Sequence, residues 1–177
     1  MAKLTAAGTL YLKDYYILNE ARAEMEKYLD QVLSAVHLKL VDVTQELEDE
    51  IVSWGLWKNQ SSPGYMGIYP KLLKGNSNIW RIGKADAYVV YRDVRHSSRI
   101  KDPYSVELSV STYGLAKLLR QEIERCSQNL FGQNIIGYHY PSIVPESSDE
   151  SADIIADAAQ DLLIKLKEII NSIIIEN

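Results

Sequence analysis

The chain has 177 residues, 46% apolar and 24% charged, which suits one domain with a sizeable core and excludes a largely disordered chain. Its net charge of −5 and sequence pI of about 5.2 exclude wholesale coating of nucleic acid and leave room for a local basic site. A single cysteine, Cys126, excludes an intramolecular disulfide. No signal-peptide-like run and no membrane-length apolar run occurs, so a cytoplasmic protein without membrane contact is expected.

Residues 1–57 read as an N-terminal helical segment. No glycine or proline interrupts Thr9 to Trp54, and Leu18, Met25, Tyr28, Leu29, Val32, Leu33 and Val36 recur at three- and four-residue spacing. The β-branched character of Leu38 to Val43 leaves open whether this is one helix or two. In the second case Asp42 or Thr44 caps a helix carrying Leu47, Ile51 and Trp54. Asp42, Glu46, Glu48, Asp49 and Glu50 then form a solvated acidic face, or set a carboxylate beside a basic partner.

Lys58 to Gly64 is a loop by composition. Tyr65 to Lys74 reads as a strand, with Gly67 and Pro70 pointing to an edge or irregular position. After a turn at Gly75 to Asn78, Ile79 to Ile82 and Ala85 to Val94 read as strand. In the latter Ala87, Val89 and Tyr91 alternate with Asp86, Tyr88, Val90 and Arg92, as in a strand covered on both sides. Arg95 to Pro103 links it, as a long-looped hairpin, to Tyr104–Ser111, which alternates apolar and polar residues.

Thr112 is placed to cap a helix with Leu115, Leu118, Leu119, Ile123, Cys126 and Leu130 on one stripe, and Gly132 to stop it. Cys126 on that stripe reads as an inert buried thiol. Ile135 to Tyr140 is a short strand. Residues 142–151 are expected to be an exposed, mobile acidic loop. Residues 152–175 form the last helix, with an apolar face wide enough for more than one neighbour.

The expected fold is α+β: an antiparallel three-stranded meander plus one further strand, flanked by helices, in the order α-β-β-β-α-β-α. A single domain, 1–177, is expected, with the sheet and central helix at 65–141.

Phosphate-cradling glycine loops, dinucleotide fingerprints, nucleophile elbows and paired metal-ligand motifs are missing from the sequence. His37, His96 and His139 are too dispersed to suggest zinc. From Arg92 to Asp102 there are four cations (Arg92, Arg95, Arg99, Lys101) against Asp93 and Asp102, and His96, Ser97 and Ser98 add hydrogen-bonding groups. A loop so composed can hold phosphate. Twelve tyrosines against one phenylalanine point to half-buried aromatic positions with a polar end, at sheet margins or on a binding face.

The order of elements, with Asp86 on one strand and Glu107 midway along the next, resembles the core of the PD-(D/E)XK nuclease superfamily. That resemblance implies that Asp86 and Glu107 hold Mg²⁺ or Mn²⁺ for phosphodiester hydrolysis of nucleic acid. Ser109 stands where the family's lysine belongs, and Gly83-Lys-Ala-Asp86 replaces a proline–aspartate pair. The cation then has to come from the following helix, where Lys117 is the candidate, and Glu46 or Glu50 is a further candidate ligand. Against this stands the first expectation, a small non-catalytic binding or accessory protein acting through a protein partner or self-association, with no cofactor. Its motivating features are the acidic balance, the tyrosines and the wide apolar faces of the terminal helices.

Overall fold

Thr5 opens the first helix, its Oγ1 accepting from the Gly8 N–H at 3.1 Å as an N-cap does. The computed structural model describes residues 3–74, 87–112 and 117–175. Helix α1 (Ala6–Lys13) meets α2 (Tyr15–Glu46) at Asp14, whose backbone (φ −105°, ψ 16°) is not helical: its N–H closes α1 on Leu10 O at 3.0 Å and its carbonyl accepts from Leu18 N–H of α2 at 2.9 Å. No break occurs at Leu38 to Val43. Val36, Leu40 and Thr44 keep the buried stripe in phase, and tertiary burial outweighs the weak β-branched preference. Thr44 is therefore inside the helix, its hydroxyl donating to Val41 O at 2.8 Å, rather than capping a second one.

The second helix expected around Ile51 and Trp54 is instead a strand, β1 (Val52–Lys58). Asp49 explains the change. Its Oδ1 accepts from the Ile51 and Val52 N–H groups at 2.7 and 2.8 Å, an Asx turn that reverses the chain. Beyond it Val52, Trp54 and Leu56 face the core at period two. The sheet gains a strand by this correction.

Strands β1, β2 (Tyr65–Leu72), β3 (Tyr88–Arg92), β4 (Glu107–Ser111) and β5 (Tyr138–His139) pair antiparallel in sequence order, giving five strands among the described residues. The architecture is α+β. Strand β2 is interior rather than at an edge. Pro70 is tolerated because the β2–β3 ladder ends at Ile68. The expected strand at Ile79 to Ile82, together with Asp86, lies outside the described residues.

Met66, Ile68, Val89, Tyr91, Leu108 and Val110 turn one face of the sheet toward α2 and the two later helices, α3 (Lys117–Phe131) and α4 (Ser148–Ile175). Leu33, Val36, Ile155 and Leu163 there are fully buried. Each such side chain stabilises the fold by roughly 1.5–3 kcal/mol. Cys126 is buried in the same core. Helix α3 ends at Gly132, in the left-handed region at φ 67°, as glycine allows.

Helix α4 begins ahead of the expected start. Ser147 accepts from the Glu150 N–H at 3.1 Å, and Asp149 and Glu150 sit in the first turn, so the run Ser147-Ser-Asp-Glu150 is an N-cap with favourable charge. Residues 148–151, expected in the exposed loop, are helical. Ser151 is buried, where its Oγ meets the Tyr28 hydroxyl at 2.8 Å and accepts from Val144 N–H at 2.8 Å. No helix among the described residues is long and apolar enough to cross a membrane.

The opposite face of the sheet is different in character. The ladder registers line up Trp57, Gly67, Val90, Ser109 and Tyr138, and beside them Tyr65, Arg92 and Glu107. A Cβ on Gly67 would collide with the Trp57 indole, and one on Gly55 with the Tyr69 ring, so the two glycines give aromatic rings room to lie on the sheet. This polar, aromatic face carries the candidate site.

Candidate functional site: an arginine cleft on the outer sheet face

Arg92 and Glu107 are directly opposite in the β3–β4 ladder. Alternation along both strands sends both side chains to the outer face. Arg92 Nη1 donates to Glu107 Oε1 at 2.7 Å, and Ser97 Oγ donates to Oε2 at 2.6 Å. Arg99 Nη1 spans both oxygens at 3.3 Å. Glu107 is fully buried, whereas the Arg92 and Arg99 side chains remain 21% and 50% exposed. Burial by itself would raise the Glu107 pKa. The bonds from Ser97, Arg92 and Arg99 outweigh it and hold the carboxylate below its ordinary range.

The loop between β3 and β4 delivers Ser97 and Arg99 because Asp93 organises it. Asp93 O accepts from the His96 and Ser97 N–H groups at 2.9 and 3.1 Å, and its carboxylate accepts from the Arg95 N–H at 2.9 Å. Aromatic rings then fix the guanidiniums. Arg99 lies 4.4 Å from the Tyr138 ring centroid and Arg92 5.0 Å from that of Tyr65.

Beside this cluster opens a cleft of about 510 Å³, with Arg92, Arg99 and Arg120 on its walls, the hydroxyls of Ser109, Ser111 and Thr112, and Tyr138. Among the described residues none that lines it is acidic. Arg92 and Arg99 share one carboxylate, which leaves an excess positive charge. Arg120, on the exposed side of α3, pairs with Glu124 at 3.0 Å. A smaller groove of about 460 Å³ continues past Arg99 to Lys101 and Tyr140.

No protein-family model, curated protein or solved structure matches this chain. The chemistry of the cleft is therefore carried by its own geometry. Of the four cations expected to hold phosphate, Arg92 and Arg99 meet here, and Lys101 stands in the adjoining groove. Arg95 goes elsewhere: its guanidinium bridges Asp93 at 2.7 Å and Asp30 of α2 at 2.8 Å, tying the loop to the helix layer. Glu107 belongs to the cluster, but as an anchor whose two oxygens are engaged by three donors. Lys117 is exposed at the described start of α3, and Arg120, about one turn further on, is the α3 cation that reaches the cleft. Asp86 lies outside the described residues.

Arg120, Ser111 and Tyr138 were not singled out by sequence. A signal was available for Arg120, which lies off the Leu119–Ile123 stripe and so cannot join the core. Tyr138 needed the β4–β5 register.

As arranged, Glu107 does not fit a Mg²⁺ or Mn²⁺ ligand. A cation there would displace a 2.7 Å arginine contact and the Ser97 hydroxyl while meeting two guanidinium charges. Among the described residues no three His, Cys, Asp or Glu side chains are grouped to hold a metal ion. What the arrangement can do is hold an anion. Each guanidinium has five N–H donors and spends few of them on Glu107, so others remain for the cleft.

Proposed function

We propose that the protein is a non-catalytic binding protein whose arginine cleft grips a phosphate-class anion on a protein partner. The observation that supports this most is that Glu107, Ser97 and two aromatic rings pre-set Arg92 and Arg99 on the wall of a cleft with no acidic lining residue among the described ones. Pre-setting lowers the ordering cost of binding, and guanidinium forks match phosphate oxygens in pairs. Charge at longer range favours a protein partner over a nucleic-acid strand. A net charge of −5 repels a polyanion, whereas one phosphorylated side chain needs a single cationic focus. The metal-dependent nuclease alternative would require Glu107 to exchange its three donors for a cation shared with Asp86.

A thermal-melt titration separates the two. Pyrophosphate and O-phosphoserine are expected to raise the melting temperature saturably, against sodium chloride of equal ionic strength, by a linkage effect of about 2.7 kcal/mol at a hundred times the Kd. Arg120→Ala is expected to abolish most of that rise while leaving the ligand-free melt unchanged, because Arg120 is exposed and makes only a surface pair. A flat response to both phosphates, with a saturable rise in Mn²⁺ that Glu107→Ala removes, would favour the nuclease alternative.

A further inference from the structure

The last strand of the sheet carries an open edge alongside the arginine cleft. Pairing with β4 continues past β5 in one register: Tyr138 lies opposite Ser109, His139 opposite Leu108 and Ser142 opposite Ser105. The bonds from Val106 N–H to Pro141 O at 3.1 Å and from Ile143 N–H to Tyr104 O at 2.9 Å fix the parity. Residues 139, 141 and 143 turn their backbone groups to the β4 side, so Tyr138, Tyr140 and Ser142 turn theirs outward. Among the described residues no strand lies beyond β5, and no backbone partner meets those outward groups.

All three residues are exposed, Tyr138 by 51% and Tyr140 by 44%. His139 is exposed as well, although it shares a sheet face with the buried Leu108, so the described helices stop short of this edge. Open edges are ordinarily guarded by lysine, by a proline that removes an outward donor, or by a bulge. Tyr138-His-Tyr-Pro-Ser142 has none of these guards: its register is unbroken, and Pro141 sits at a position facing β4.

The edge and the cleft share Tyr138. Its side chain stands on the outer face with Ser109 and lines the cleft, and the Arg99 guanidinium lies 4.4 Å from its ring. Tyr140, two residues on and on the same face, lines the adjoining groove with Arg99 and Lys101. A strand laid on β5 runs about 4.8 Å beyond it. In an antiparallel pair, the residue opposite Tyr138 exchanges both backbone bonds with it, and its side chain emerges on the cleft side. An anionic side chain at that position meets the excess positive charge of the cleft. The main chain supplies further affinity, as it does for peptides added to other sheet edges.

On the phosphate reading of the cleft, on which this rests, we infer that the partner presents an extended phosphorylated segment. The segment adds antiparallel to the 138–142 edge, with its phosphoserine opposite Tyr138.

Fluorescence anisotropy with the full chain and a labelled valine–threonine peptide carrying one central phosphoserine tests it. N-methylating the phosphoserine and the residues two positions to either side removes the donors that face β5. N-methylating only the two immediate neighbours of the phosphoserine removes donors that face away. The expected result is a loss of affinity of about tenfold or more from the first set and none from the second. Equal binding of all three peptides overturns the edge pairing, and so does an equal loss from both sets. An unphosphorylated peptide that binds as tightly as the phosphorylated one overturns the joint use of edge and cleft. A phosphopeptide that does not bind, where pyrophosphate still raises the melting temperature, overturns the edge pairing and leaves the cleft reading standing. Failure of both phosphopeptide and pyrophosphate to bind overturns the cleft reading and the edge pairing with it.

Discussion

Replacing Glu107 with alanine is expected to destabilise the fold by about 3–5 kcal/mol, because it removes the common partner of two guanidiniums and a buried hydroxyl. Arg92 loses most, being four-fifths covered and committed to the carboxylate at 2.7 Å. Glu107→Gln keeps the shape and returns one acceptor, so it should cost less. The pH dependence follows from the direction of the shift. The folded pKa of Glu107 lies below its ordinary 4.5, so its contribution is fully present above that value and is lost as pH falls through the depressed folded value. Urea unfolding at pH 7 and pH 3 should therefore show a gap between wild type and Glu107→Gln that narrows in acid. Equal stability of wild type and Glu107→Ala at pH 7 would make Glu107 an incidental carboxylate and deprive the cleft of its anchor.

The sequence revealed these features unevenly, for physical reasons. Periodicity carries burial, so Leu29 to Val36 of α2, Leu119, Ile123 and Cys126 of α3, the stripe of α4 and the alternation in β3 and β4 were legible, whereas Leu18, Met25, Leu118 and Leu130, read onto the same stripes, are exposed. Strand β1 was not, because Leu47, Ile51 and Trp54 fit a helical spacing as well as Trp54 and Leu56 fit a strand. The deciding contact, the Asp49 carboxylate on two backbone N–H groups, is a local geometry that no periodicity encodes. Within the site, the parity of β4 placed Glu107 on the face of Ser109, away from Leu108. Its partners required the register that sets Arg92 opposite it. Arg95 and Arg99 are equivalent by composition, yet one is drawn to α2 by Asp30 and the other reaches the cleft. Loop side-chain direction depends on such distant charges.

Asp93→Ala is expected to cost a similar amount, about 3–5 kcal/mol, by freeing the loop that supplies the cleft. Asp93 is fully buried, holds Arg95 through Oδ2 at 2.7 Å from Nη2, and accepts from the Arg95 N–H. Without it Arg95 keeps only Asp30, and Ser97 and Arg99 lose the turn that aims them at Glu107. Gly64 makes the argument quantitative. It sits at φ 90°, and an added Cβ would overlap the Asp93 carboxylate. Gly64→Ala should thus destabilise by about 1–2 kcal/mol from backbone strain alone, and further from displacing Asp93. In the Asp93→Ala background the overlap disappears and only the strain remains. A double-mutant cycle by urea unfolding should then show the two substitutions costing less together than their sum, by about 0.5–3 kcal/mol. Strict additivity would mean that Gly64 is needed for its backbone angle alone. The cleft should weaken in step: pyrophosphate binding is expected to fall in Asp93→Ala although no Asp93 atom lines the cleft, because the loop that orders Arg99 is gone.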